Sequence, residues 1–403
     1  MRKVLAVRDF RLLWCSQVGS SIADSLVLVA LALYVNRIGS PTDVGVVIGT
    51  GTATFIVFLL LGGVWADRLP RNRVMIATDL WRGGLHALLA VLILTGHPAV
   101  WVIALIEGLF GVGRAFFRPA YSGLIPQTVP EDLLNEAQAM SGIAATLSTI
   151  VGPSLGAVLF VTVGAGTAFA IDAATFGVSA AVLTLVRARD RGGPTAERAP
   201  VLQEMAAGLD EIRRRPWAAV IIASAAFNLL VAVGPAQALG PEVAHQVFGH
   251  AALYGGVSTA FGVGLFGGSL LALRWQPEHP VLMGIYACLP WTFEGLIFAL
   301  GPPYVVLLGA AAIGGFGIAL FEVWWVTSLT RSVPPAAMSR VSSVDWMGSL
   351  GLLPVGLFLA GPIAATFGAR ETLAGGAVLS ALMTLAISRV PSVRAFRSPE
   401  VLA

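Results

Sequence analysis

The sequence predicts an all-α membrane protein whose twelve transmembrane helices form two pseudo-symmetric six-helix bundles. Three observations carry that expectation: long apolar runs, a one-sided placement of Arg, and a repeat that lays the second half of the chain on the first. Of the 403 residues, 56% are hydrophobic and 12% charged, with 46 glycines and a mean hydropathy of +0.82. A soluble domain is about a quarter charged, so an ordinary cytoplasmic enzyme is excluded. The runs are continuous and about 20 residues long, as membrane helices require, whereas a barrel would alternate in strands of about ten. Glycine enrichment fits helices that pack through small residues where lipid supplies no hydrophobic drive.

The first run, 12–35, follows a basic stretch from Met1 to Arg11 and is too long for the core of a cleaved leader, so it is read as a span. Apolar runs bounded by charges, Gly or Pro predict further spans at 44–66, 74–95, 99–118, 139–162 and 165–186. A second set is expected at 217–240, 251–273, 281–300, 303–326, 342–365 and 371–388. Residues 1–186 then make an N-terminal bundle, 187–216 a cytoplasmic linker and 217–403 a C-terminal bundle. Within the linker, Leu202, Met205, Leu209 and Ile212 recur at helical spacing with Glu204, Asp210 and Glu211 between them. That is the pattern of an amphipathic helix lying along the membrane face. Cys15 and Cys288 both fall in apolar runs and read as buried thiols.

Orientation follows from the basic residues, which mark cytoplasmic loops. With the N-terminus inside, only Arg37 and Arg370 of the 25 Lys and Arg fall outside, and Arg82 lies within a span. An odd number of spans would scramble this segregation. The expectation is a multi-pass protein of the cytoplasmic (inner) membrane, in contact with lipid, with both termini cytoplasmic. The repeat supports the same division: Thr162-Val-Gly164-Ala165 before the sixth span reappears as Thr366-Phe-Gly368-Ala369 before the twelfth. The same register shift lays Val129-Pro130 on Val333-Pro334 and Gly111-Val-Gly113-Arg-Ala-Phe-Phe117 on Gly315-Phe-Gly317-Ile-Ala-Leu-Phe321. Two halves from one duplicated unit put a substrate pathway at their interface.

After the second span stands Gly62-Gly63-Val-Trp-Ala-Asp67-Arg68-Leu-Pro70-Arg71-Asn72-Arg73. It resembles the loop signature of the major facilitator superfamily, departing from it at Pro70, where Gly is usual, and at Asn72, where a base is frequent. The physical sense of the motif is a tight turn, a carboxylate that can cap a helix and arginines that anchor the loop. The resemblance implies that Gly63, Asp67, Arg68 and Arg71 form a conformational switch, with Asp67 and Arg71 in a charge relay that reaches the eleventh span. Phe117-Arg118-Pro119-Ala120, Leu124-Ile-Pro126 and Leu134-Asn-Glu-Ala137 resemble the end of the fourth span and following loop in bacterial enterobactin and macrolide exporters. Gly152-Pro153-Ser-Leu-Gly156-Ala157 resembles the Gly-Pro element of antiporters, with Ala157 where Gly is preferred. Gly152, Pro153 and Gly156 would bend the fifth span and give it a close-packing surface.

Charges inside the membrane are costly and mark candidate sites. Asp24 falls near the middle of the first span with no basic neighbour on its own helix, so it is expected to be an unpaired carboxylate that takes a proton or a cationic substrate in turn. Glu107 and Arg114, seven positions apart, face nearly the same way on the fourth span. Glu107 is the second proton or substrate carboxylate, and Arg114 its regulator or a partner for Asp24. Asp79, Arg82 and His86 read as a local ion pair beside a satisfied histidine. Asp172 and Glu294 receive no role. The resemblance places spans one, four, seven and ten around the cavity, which makes Phe110, Phe227, Asn228, Gln237, Phe316 and Glu322 candidate lining residues. A wall so apolar suits amphipathic ligands.

The chain lacks a nucleotide-binding loop, its only Lys is Lys3, and its five His show no metal spacing, so neither cofactor nor metal is expected. No hydrolase motif or nucleic-acid-binding pattern stands out either. The reading is a monomeric, non-enzymatic exporter of amphipathic drugs or natural products, coupled to protons and working by alternating access. An exporter of an endogenous metabolite such as a siderophore, an importer and a non-transporting membrane sensor are the alternatives.

Overall fold

The computed structural model describes residues 2–187 and 201–397, except the side chains of residues 2, 60, 63–68, 201, 202, 204, 335, 336 and 339. Among the described residues, 12 helices are long and apolar enough to cross a membrane. The chain divides into two compact units, Met1–Ala196 and Glu197–Ala403. In the first, a short α1 (Arg2–Ala6) leads into α2 (Arg8–Ile38), α3 (Pro41–Arg68), α4 (Arg71–Thr95), α5 (Val100–Thr128), α6 (Leu134–Thr162) and α7 (Ala165–Leu183). The second opens with α8 (Val201–Arg213) in the linker. Its first span is α9 (Pro216–Asn228), continued through one π-helical turn, Leu229–Val233, into α10 (Gly234–Phe248). Then come α11 (Leu253–Ala272), α12 (Pro280–Leu300), α13 (Tyr304–Ser332), α14 (Pro335–Leu350) with α15 (Leu353–Phe367), α16 (Ala369–Ile387) and α17 (Pro391–Arg394).

The sequence repeat is a repeat of backbone geometry. Gly164 before α7 has φ 84° and Gly368 before α16 has φ 99°, a region that a side chain disfavours, which is why glycine occupies both turns. Packing repeats as well. In the first unit α2 lies on α6, α3 on α5 and α4 on α7; in the second α10 lies on α15, α11 on α13 and α12 on α16. Span one thus meets five, two meets four and three meets six, and the second set follows the same rule.

Close approach at these pairings uses glycine. A Cβ on Gly111 of α5 would meet the Gly51 carbonyl of α3, and one on its repeat mate Gly315 of α13 would meet the Phe261 carbonyl of α11. Gly152 of α6 abuts Ser25 of α2, and Gly356 of α15, at the equivalent position, abuts Leu230. Absent a hydrophobic drive between helices in lipid, backbone-to-backbone van der Waals contact holds them together.

Two elements depart from expectation. The fourth span, predicted to end at 118, continues as α5 to Thr128 with Pro119 and Pro126 inside it. A proline removes one helical hydrogen bond, and neighbouring helices make that tolerable. The linker helix, expected to lie along the membrane face, instead packs on α14: a Cβ on Gly208 would come within 2.7 Å of the Arg340 carbonyl. Ile212 is buried in a cluster with Trp217, Ile221 and Val341.

Candidate functional site

The most charged interior of the first unit gathers on one face of α4. Asp79, Arg82 and His86 follow at helical spacing, so one stripe carries all three into the contacts with α5 and α7. All three are buried, and Arg82 is among the largest fully buried side chains.

Two arms extend from this stripe. In one, the Arg82 guanidinium donates through Nη2 to Asp79 Oδ1 at 2.5 Å and reaches Asp24 Oδ2 of α2 at 3.5 Å through Nη1. Asp79 Oδ2 accepts from Ser179 Oγ of α7 at 2.7 Å, and Ser179 accepts in turn from Gln17 Nε2 of α2 at 3.0 Å. The guanidinium lies over the rings of Phe117 and Phe176, 4.1 and 4.3 Å from their centroids, where the ring faces favour a cation. In the other arm, His86 Nδ1 stands 2.5 Å from Asp172 Oδ2 of α7, and Nε2 faces Glu107 Oε1 of α5 at 3.5 Å. Phe110 stacks on the imidazole with centroids 4.0 Å apart, and Phe169 meets it edge-on.

The arms share an order. Each begins at a partly accessible carboxylate, passes a cation-forming group and ends at a sealed carboxylate. Side-chain exposure falls from 33% at Asp24 to 2% at Arg82 and 0% at Asp79, and from 11% at Glu107 to 2% at His86 and 0% at Asp172. Buried hydrogen-bonding capacity remains: Asp24 Oδ1, Arg82 Nε, His86 Nε2, Glu107 Oε1 and Asp172 Oδ1 have no hydrogen-bond partner among the described residues.

Several expectations are corrected here. Asp24 is not unpaired: Arg82, 58 positions along the chain, reaches it from α4. Glu107 faces His86 and not Arg114, which is exposed on α5 with its guanidinium 5.2 Å from the Phe55 ring centroid. The Asp79 and Arg82 pair exists, but as the fully buried centre of a network, and His86 belongs to the same network. Phe110 stacks on His86 and serves this cluster.

The remaining candidates lie elsewhere. Gly63, Asp67 and Arg68 close α3, and their side chains lie outside the described residues. Arg71 at the start of α4 donates to the Gly123 carbonyl near the end of α5 at 2.5 Å. Helix α6 runs unbroken through Pro153, with Gly156 against the Leu26 carbonyl of α2. In the second unit, Asn228 Nδ2 donates to the Ser224 carbonyl at 3.0 Å, and its Oδ1 accepts from Ser380 Oγ. Phe227 and Gln237 are half-buried and Glu322 is exposed. The Phe316 ring lies beside Gly267 of α11, where an added Cβ would come within 3.5 Å of it.

The spacing of Asp79, Arg82 and His86 is legible in the sequence as a local pair with a neighbouring histidine, and Asp172 carries no signal there. Spacing along α4 could not show that α2, α5 and α7 deliver three further carboxylates to the same stripe. The repeat shift lays Asp24 on Asn228, but it lays Asp79, Arg82 and His86 on Met283, Tyr286 and Pro290, and Glu107 and Asp172 on Ala311 and Gly376. The duplicated backbone is common to both halves, while the charge cluster belongs to the first alone.

Comparison with known proteins agrees with this architecture. The chain is 23% identical over 370 residues to macrolide efflux protein A of Streptococcus pyogenes, covering 90% of this chain and 91% of that one. It is 27% identical over 354 residues to the multidrug efflux pump Tap of Mycolicibacterium fortuitum, covering 84% and 85%. Among solved structures, the nucleoside transporter NupG superposes with a TM-score of 0.75 at 13% identity, over 97% of this chain and 100% of that one. An inward-facing bacterial homologue of the lysosomal transporter Spinster gives 0.76 at 15% identity, over 97% and 98%. These structures share the fold. The family model described as Major Facilitator Superfamily matches residues 13–351, and the chain belongs to that family as a multi-pass membrane transporter.

Proposed function

We propose that the protein exports amphipathic drugs or natural products across the cytoplasmic membrane in exchange for protons, by alternating access. It would act as a monomer in the lipid bilayer with both termini in the cytoplasm. The observation that carries the proton-coupled reading is the cluster on α4: the carboxyl groups of Asp24, Asp79, Glu107 and Asp172 share one guanidinium and one imidazole. Like charges at such distances in a low-dielectric interior do not all ionise together, so protons are held among them. Asp24 and Glu107, the more accessible members, are where a proton and a substrate would replace each other. Relatives named for macrolide and multidrug efflux support the direction and the substrate class. Asp67 and Arg71 would bias the access states, and the bond from Arg71 to Gly123 ties the start of α4 to α5.

The test is reconstitution in proteoliposomes with an imposed pH gradient and a panel of fluorescent cationic and neutral amphiphiles. Wild type is expected to move members of the panel in a gradient-dependent way, and Asp24→Asn to lose that movement by an order of magnitude or more. Equal movement by both proteins would remove Asp24 from the coupling. A wild type that moves nothing on a broad panel would overturn drug export.

A further inference from the structure

Building on the proton-coupled reading, we infer that the two arms divide the labour, and that His86 is the group that holds the exchanged proton. Arg82 keeps its charge throughout, so its arm presents Asp24 with a permanent internal cation that a cationic substrate must displace. The imidazole at the equivalent place in the other arm, unlike a guanidinium, can gain and lose its charge. The two arms are one helical turn apart on α4, built to the same plan, and differ in the central cation, fixed at Arg82 and able to come and go at His86.

The step is a proton transfer. With Asp172 ionised and accepting from Nδ1–H, the free lone pair of His86 is on Nε2, which points at Glu107. A proton on the Glu107 carboxyl passes to Nε2. The carboxyl O–H bond breaks, the N–H bond forms, and a carboxylate and an imidazolium result with Nδ1–H still donated to Asp172. At 3.5 Å the Nε2 and Oε1 atoms are just beyond hydrogen-bonding range, and neither has a hydrogen-bond partner among the described residues. A small rotation of the Glu107 side chain therefore makes or breaks the transfer. Glu107, at 11% exposure, is the entrance, and Asp172, at 0%, is the fixed counter-charge.

The charged groups around the imidazole are accounted for on each packed helix. Glu107 faces it from α5 and Asp172 from α7, Asp24 of α2 acts on it through its charge, and Arg82 and Asp79 stand on its own helix. Arg114 on α5 turns to Phe55 of α3, and α3 brings no described charge to the ring. Phe110, Phe169 and Phe176 fill the remaining contacts and limit water at the ring.

Two measurements test this. In proteoliposomes, His86→Gln retains an amide donor for Asp172 but cannot take a second proton. It is expected to lose gradient-driven accumulation of the fluorescent amphiphile by an order of magnitude or more while still equilibrating it between equal-pH compartments. Asp24→Asn is expected to fail in both regimes. Gradient-driven accumulation by His86→Gln at the wild-type level would overturn the assignment, whereas a wild type inactive in both regimes would count against export itself.

The second measurement needs neither a His86 variant nor a known substrate. Replacing His97, His245, His250 and His279 by Gln leaves His86 as the only histidine, and its ring nitrogens are followed by NMR in lipid nanodiscs across the pH range in which imidazole titrates. The resonances are expected to move, and Glu107→Gln to displace their transition by about one pH unit or more. Resonances that do not respond to pH, or a transition unmoved by Glu107→Gln, would overturn the proposal even if His86→Gln fails to fold.

Discussion

Arg82→Gln probes the energetics of the cluster directly. The substitution removes a guanidinium that bonds Asp79 at 2.5 Å, reaches Asp24 at 3.5 Å and lies 4.1 and 4.3 Å from two aromatic centroids. Asp24 has 33% of its side chain accessible and can be rehydrated, so the loss concentrates on Asp79, which has 0%. Breaking a buried pair by removing one partner costs about 3–5 kcal/mol, because a charge is left without compensation. The lost cation–π contacts contribute about 0.5–2 kcal/mol more. At about 2–4 °C per kcal/mol for a unit of this size, a loss of about 3–5 kcal/mol lowers the apparent melting temperature by roughly 6–20 °C. The assay is thermal unfolding in detergent, followed by size-exclusion chromatography of the soluble fraction. The double variant Arg82→Gln with Asp79→Asn discriminates the cause: it removes the orphaned charge and should recover most of the loss, since an Asn can still accept from Ser179. A single variant that melts within a degree or two of wild type, or a double variant no better than the single, would refute the claim that Arg82 compensates Asp79.

Two further outcomes follow from the packing and the linker. Gly156→Val places a Cβ against the Leu26 carbonyl and within 3.1 Å of the Leu26 Cα, so it should cost about 1–3 kcal/mol or more by overpacking. Gly177→Ala, whose Cβ meets nothing within 4 Å, should be neutral or gain up to about 1 kcal/mol of helix propensity, and the same melting assay compares the two. In the linker, the hydrogen bond from Arg215 Nη1 at 2.6 Å holds the Glu211 carboxyl below its ordinary range. A depressed carboxylate stabilises the fold above its unfolded pKa of about 4.3 and loses that contribution as pH falls through the lower folded value. Amide exchange in the last turn of α8 should therefore speed up on acidification below that range in wild type and lose this pH dependence in Glu211→Gln.

The membrane spans were legible in the sequence because a bilayer imposes one strong local rule: about 20 consecutive apolar residues, every backbone group satisfied within the helix. The turns at Gly164 and Gly368 were legible as a repeat, since positive φ selects glycine wherever it recurs. Helix ends were less so. Pro119 and Pro126 looked like the exit from a helix that in fact continues to Thr128, because only neighbouring helices can make up for a missing backbone donor. The linker showed a similar limit: an amphipathic stripe states that one face needs cover, and leaves open whether lipid or α14 provides it.

The sequence by itself determined the class, the pseudo-symmetry and a short roll of intramembrane charges, since each rests on local composition or on self-similarity along the chain. Partnership among those charges was decided by tertiary structure alone. Asp24 looked solitary because its cation is on another helix, and Glu107 was assigned to Arg114 because both share α5. Ion pairing is set by distances of a few ångströms in space, at which Coulomb interaction in a low-dielectric interior is strong, and separation along the chain says little about them. Packing α2, α5 and α7 around α4 turned a scatter of isolated residues into two parallel arms, one with a cation that is fixed and one with a cation that can come and go.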